Sequence, residues 1–217
     1  MHIINFIIDF ILHINDHLVS VVHLFGDWTY LILFAVIFIE TGAVIMPFLP
    51  GDSLLFAACA LAANPEYHLS FWLFAFLFLV ACLSGDSLNF FIGSKVGRSV
   101  SQSPFWGRFI KEENLRKTEA FFEKHGGIAI SLARFMPIIR TMSPFVSGAS
   151  GVAYKTFLKY NVIGAVSWVI LCCCSGYFFG NFPAVKEHFS LIIIGIIIVS
   201  LLPAVFTALK AKFKQTS

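Results

Sequence analysis

Polar residues cut the chain into apolar segments whose spacing predicts an all-helical protein. From 2 to 25, Asn5, Asp9, His13, Asp16, His17 and Ser20 recur at three- and four-residue steps among Ile, Leu, Phe and Val. That period predicts an amphipathic N-terminal helix, either lying in a membrane interface or spanning with its polar stripe against other helices. A run from 28 carries Glu40 and meets M-P-F-L-P-G-D-S at 46–53, where Pro47, Pro50 and Gly51 interrupt helical geometry. The apolar piece beyond, 54–63, is too short to cross a bilayer, which takes roughly 20 residues. The economical reading of 28–63 is a re-entrant helical hairpin. Residues 69–94 read as a full span containing Asp86 and Asn89, and 95–125 as a polar, basic segment whose 112–124 part is an amphipathic surface helix. Residues 127–151 form a second broken element, interrupted at Pro137 and Pro144. Spans at 157–180 and 189–209 complete a single membrane domain over 1–217.

Composition agrees with a membrane setting: 58% of residues are hydrophobic, 12% are charged, and the mean hydropathy is +0.85. The net charge of +3 matters less than its placement. Lys95, Arg98, Arg108, Lys111, Arg116, Lys117 and Lys124 crowd the polar middle, and Lys210, Lys212 and Lys214 the tail. The positive-inside rule makes both cytoplasmic. Two spans lie between them, so 127–151 must enter and leave on one side. The first hairpin then opens from the other side, and the chain reads as an inverted repeat with two opposed re-entrant hairpins, a plan shared by many transporters.

The chemistry concentrates on the breaks. Arg134 and Arg140 have no acidic residue near them in sequence, and ionisable groups at membrane depth mark function by default. Two guanidinium groups on broken backbone suggest an anion site, and the commonest anion in a membrane is a lipid phosphate. The first hairpin brings Glu40 and Asp52, whose charges would relieve the cost of burying the arginines. Asp86 and Asn89 either line a pathway or make helix-packing hydrogen bonds. The five cysteines lie in apolar segments without C-x-x-C spacing and read as packing residues. No metal or cofactor is expected. No extended basic patch suggests nucleic acid, and a homo-oligomer is left open. Enzyme signatures are lacking: there is no H-E-x-x-H or G-x-S-x-G, and Leu49 and Leu83 stand where an intramembrane protease G-x-G-D would need glycine.

Several stretches together resemble the DedA family of bacterial membrane proteins: F-I-E-T-G at 38–42, P-F-L-P-G-D-S-L-L at 47–55, G-D-S-L-N at 85–89, F-F-E-K-H-G-G at 121–127, A-R-F-M-P-I-I-R-T at 133–141 and Y-N-V-I-G-A-V-S-W at 160–168. The resemblance implies a multi-pass transporter of the bacterial cytoplasmic membrane that flips lipids, notably undecaprenyl phosphate, and depends on the proton motive force. It places the family's acidic pair on Glu40 and Asp52 and its arginine pair on Arg134 and Arg140. The expectation is therefore a flippase for a polyprenyl phosphate or phospholipid. In it Arg134 and Arg140 bind phosphate, Glu40 and Asp52 couple to protons, and the C-terminus is cytoplasmic. The alternative is a proton- or sodium-coupled exchanger of small ions without a lipid substrate; two buried cations argue against it, since they repel a metal cation.

Overall fold

The computed structural model describes residues 14–42, 51–96 and 112–180, with the single positions 182 and 195. Most of the expected N-terminal helix, the breaks at Pro47 and Pro50, the expected span at 189–209 and the lysines of the tail lie outside the described residues. Every described element is helical: α1 (Ile14–Phe25), α2 (Trp28–Gly42), α3 (Gly51–Ala62), a short 3-10 turn (Pro65–Tyr67), α4 (Phe71–Val96), α5 (Glu112–His125), α6 (Ile128–Ala133), α7 (Pro137–Ala149) and α8 (Tyr154–Phe179). The expected all-helical class with long apolar helices is what the structure has.

Helices α4 and α8 have 26 residues each and are apolar enough to cross a membrane. At 1.5 Å per residue each reaches about 39 Å, against about 30 Å of hydrocarbon. Their outward side chains fit that solvent: Trp72, Phe76 and Phe91 on α4 and Ile163, Ile170, Leu171 and Phe178 on α8 are exposed. Such a belt would be costly in water and costs nothing against lipid tails.

The described residues fall into two compact units, and α4 and α8 each contribute to both. In the first unit α3 is the core element, with Ser53 to Leu61 all buried. Helix α1 packs on α3, burying Leu18 and Val22. The Phe71 and Tyr177 rings meet edge-on at 4.9 Å, and Tyr30 lies 4.5 Å from Phe74. The Tyr30 hydroxyl also accepts the Ser70 N–H at 2.7 Å, tying the start of α2 to the entry of α4.

The second unit holds the C-terminal end of α2, the second part of α4, α5 to α7 and the first part of α8. Its tightest crossing is between α4 and α7. Gly93 of α4 lies against the Phe145 backbone, and Gly148 of α7 against the Phe90 carbonyl. A Cβ at either position would overlap backbone, so only glycine lets these helices meet at this depth. The amphipathic α5 ends where Gly126 adopts φ +59 and donates its N–H to the Phe122 carbonyl at 2.7 Å, a left-handed helix stop. Its Phe122 packs against two neighbouring clusters, Met142–Phe145–Val146 and Phe90–Ile130–Phe157.

Candidate anion site

The second broken element positions both arginines. Helix α6 stops after six residues, and Arg134 follows at its C-terminal end. The negative end of the helix dipole favours a cation there. Met136 is extended (φ −117, ψ 104) because the residue before a proline is pushed out of the helical region. Pro137 then opens α7 at a position where a missing N–H costs nothing. Arg140 lies one turn in, its N–H bonded to the Met136 carbonyl at 2.7 Å. Pro144 lies inside the same helix and cannot supply the usual donor to the Arg140 carbonyl. The break sets the two guanidinium groups on separate helices.

Arg134 is 5% exposed. Its Nη1 donates to Asp86 Oδ2 of α4 at 2.5 Å and to Asn161 Oδ1 of α8 at 3.1 Å. Its Nε and Nη2 are buried and have no hydrogen-bond partner among the described residues. Arg140 faces Glu40 of α2 with Nη2 3.9 Å from Oε1, an ion pair longer than a hydrogen bond. Trp168 of α8 serves both arginines. The Arg140 guanidinium carbon lies 4.3 Å from the centre of its ring, and that of Arg134 5.5 Å. A buried indole attracts cations electrostatically through its ring face, without accepting a hydrogen bond from them.

Asn89, one turn after Asp86, donates Nδ2 to the Thr141 carbonyl at 3.2 Å and so bridges α4 to the turn that carries Arg140. Its Oδ1, the Asn161 Nδ2 and the Ser143 Oγ are further buried polar atoms without a hydrogen-bond partner among the described residues. Buried polar atoms are ordinarily satisfied, and each exception calls for an explanation.

Glu40, Asp86, Asn89, Arg134 and Arg140 thus all belong to one compact unit. Asp52 stands in the first turn of α3, in the other unit. Of the expected break residues, Gly51 is the first residue of α3, Pro137 the first of α7, and Pro144 is buried within α7. Asn161 and Trp168 carried no role in the sequence beyond their place in the stretch 160–168. Both lie on α8 seven residues apart, hence on one helical face. A polar amide aligned with a tryptophan inside a span was the available signal.

What the arrangement can do follows from guanidinium geometry. The Nε–H and one Nη2–H point the same way and form the side-on fork that grips a carboxylate or phosphate with two parallel bonds. In Arg134, Asp86 and Asn161 together take only Nη1, so neither uses that fork.

Residues 49–178 match the VTT domain family. Protein DedA of Escherichia coli strain K12 is 47% identical over 212 residues, covering 98% of this chain and 96% of its own. The membrane protein Rv0364 of Mycobacterium tuberculosis is 39% identical over 173 residues, 80% of this chain and 75% of that one. Inner membrane protein YghB of Escherichia coli strain K12 is 30% identical over 213 residues, 94% and 92% of the two chains. No solved structure matches the chain. With a domain match over more than half its length and nearly full-length similarity to DedA, the chain is a membrane protein of the VTT/DedA family.

Proposed function

We propose that the protein moves a lipid phosphate, a polyprenyl phosphate or a phospholipid, across the bacterial cytoplasmic membrane, coupled to the proton motive force. The observation that carries this reading is the side-on fork of Arg134, buried and without a hydrogen-bond partner among the described residues. Burying cationic donors without a use for them is costly, and a phosphate anion supplies both the acceptor oxygens and the charge. Arg140, at the N-terminal turn of α7, and the positive end of that helix dipole favour the same anion. Asp86 and Glu40 each face a guanidinium, which disfavours the exchanger of small cations.

The membrane arrangement belongs to the proposal. Helices α6 and α7 have 6 and 13 residues, α2 and α3 15 and 12. None reaches about 30 Å alone at 1.5 Å per residue, which supports two re-entrant hairpins, opposed as an inverted repeat. YghB is named an inner membrane protein, which supports the same location here. A cysteine at Glu66, in the turn before α4, is expected to react with an impermeant external thiol reagent in intact cells. One at the exposed Arg116 of α5 is expected to resist it. The background would carry alanine at the five native cysteines. External labelling at Arg116 would reverse the orientation and remove the basis for opposed hairpins.

Function is tested with purified protein in liposomes. Flipping of a polyprenyl phosphate is expected above the protein-free rate and above that of phosphatidylethanolamine, and to respond to an imposed proton gradient. Equal rates with and without protein would refute lipid transport. Glu40 and Asp52 are the proposed proton-coupling pair. Moving one charge through the membrane potential is worth about 2.3 kcal/mol per 100 mV, enough to bias a cycle. Glu40→Gln and Asp52→Asn, which mimic protonation, are expected to make flipping insensitive to the gradient or to stop it. A variant that keeps both normal rate and normal gradient response excludes that residue from coupling.

A further inference from the structure

Asn161 adjoins the arginine that carries the proposed function, yet it matches no role assigned above. It is 3% exposed, in the N-terminal third of α8. Its amide orientation is fixed by chemistry: Arg134 Nη1 is a donor only, so the atom 3.1 Å from it must be the acceptor Oδ1. The same amide therefore directs Nδ2, a donor with two hydrogens, elsewhere in the same buried surroundings. That nitrogen has no hydrogen-bond partner among the described residues. An asparagine kept only to orient Arg134 needs an acceptor and nothing more. The amide instead buries a second donor beside a guanidinium that already presents two free donors, Nε and Nη2. Nε, Nη2 and Nδ2 are three buried donors without acceptors among the described residues, on two side chains in contact, a set that suits an oxyanion.

We infer that Asn161 is an anion-binding residue, its Nδ2 donating to a phosphate oxygen while its Oδ1 orients Arg134. The inference rests on the anion reading of the Arg134 site and adds a neutral donor to it. Asn161 thereby acts as a specificity residue. A neutral amide adds a directed bond to an oxyanion without adding to the positive charge that attracts any anion. Trp168, on the same face of α8, meets the Arg134 guanidinium through its ring, a contact that consumes no N–H.

The discriminating substitution is Asn161→Asp. It keeps shape and the acceptor for Arg134 but replaces the donor with a negative oxygen. Binding is measured by titrating the detergent-solubilised full chain with inorganic phosphate and, separately, with a short-chain prenyl phosphate. The expected result is a loss of about tenfold to a hundredfold in affinity for both, the scale of a charge-assisted hydrogen bond. Loss for the prenyl phosphate alone would assign the donor to a lipid-borne phosphate rather than to free phosphate. Unchanged affinity for both in Asn161→Asp would overturn the inference and leave Asn161 as an orienting residue. Failure of the wild type to bind either probe would refute the anion site itself, a separate outcome. Because the new carboxylate beside Arg134 also repels any anion, the wild type supplies the direct readout. With asparagine labelled by 15N, the side-chain amide signal that disappears in Asn161→Ser is expected to shift on phosphate addition. A signal that stays fixed at saturating phosphate overturns the inference.

Discussion

Arg134→Lys is expected to reduce lipid-phosphate flipping about a hundredfold while leaving the protein folded in detergent. Arg134 divides its donors among three tasks: Nη1 holds Asp86 and Asn161, and the Nε/Nη2 edge is free for a ligand. An ammonium on a flexible stem is a point charge. It can hold Asp86 or reach an anion, but it cannot offer two parallel donors while doing the first. Arg140→Lys is expected to do less. Arg140 makes a long ion pair to Glu40 at 3.9 Å and lies over the Trp168 face, and an ammonium can keep a cation–π contact. The comparison is made by initial flipping rates in liposomes at equal protein content, alongside phosphate affinity in detergent. If charge alone mattered, lysine would serve at both positions. A double lysine variant with wild-type rate would sink the bidentate reading.

Much of this was legible in the chain. The apolar runs at 69–94 and 157–180 coincide with α4 and α8. The break before Pro137 was readable because proline acts on its immediate neighbours, and Met136 is extended for that local reason. Of the expected convergence of Glu40 and Asp52 on the two arginines, the structure has Glu40 and Arg140 3.9 Å apart, while Arg134 pairs with Asp86 and Asp52 belongs to the other unit. The partner of Arg134 was not legible. Asp86 lies 48 residues away in sequence, and whether it faces Arg134 or lipid depends on the rotation of α4 about its axis. That rotation is set by the contact of Gly93 and Gly148 with opposing backbone. Small residues advertise close packing without saying against what. Asn161 went unread for a similar reason. A single amide in a span has many ways to be satisfied, and only its place beside Arg134 shows that one end of it is not.

Asp86→Asn should separate the structural duty of the buried pair from its part in handling the ligand. Removing one member of a buried ion pair costs about 3–5 kcal/mol when the other charge is left uncompensated. Asp86 and Arg134 are both almost wholly buried, so Asp86→Ala is expected to yield little folded protein. Asn keeps an acceptor for Nη1 and loses only the charge, so a lowered but measurable thermal midpoint is expected. Phosphate should then act differently on the two proteins. In the wild type, Asp86 already neutralises Arg134 and repels an incoming anion. In Asp86→Asn the anion becomes the only negative charge on that guanidinium apart from what the second arginine's partner, Glu40, contributes at a distance. Binding to the folded state raises stability by mass action, so phosphate is expected to restore much of the lost midpoint in Asp86→Asn and to bind it more tightly than the wild type. Flipping should nonetheless slow, because a carboxylate that competes for Arg134 helps release the phosphate on the far side. Thermal shift with increasing phosphate, read beside the flipping rate, decides the matter. If the midpoint of Asp86→Asn stays low at every phosphate concentration, carboxylate and anion do not share Arg134, and Asp86 serves the fold alone.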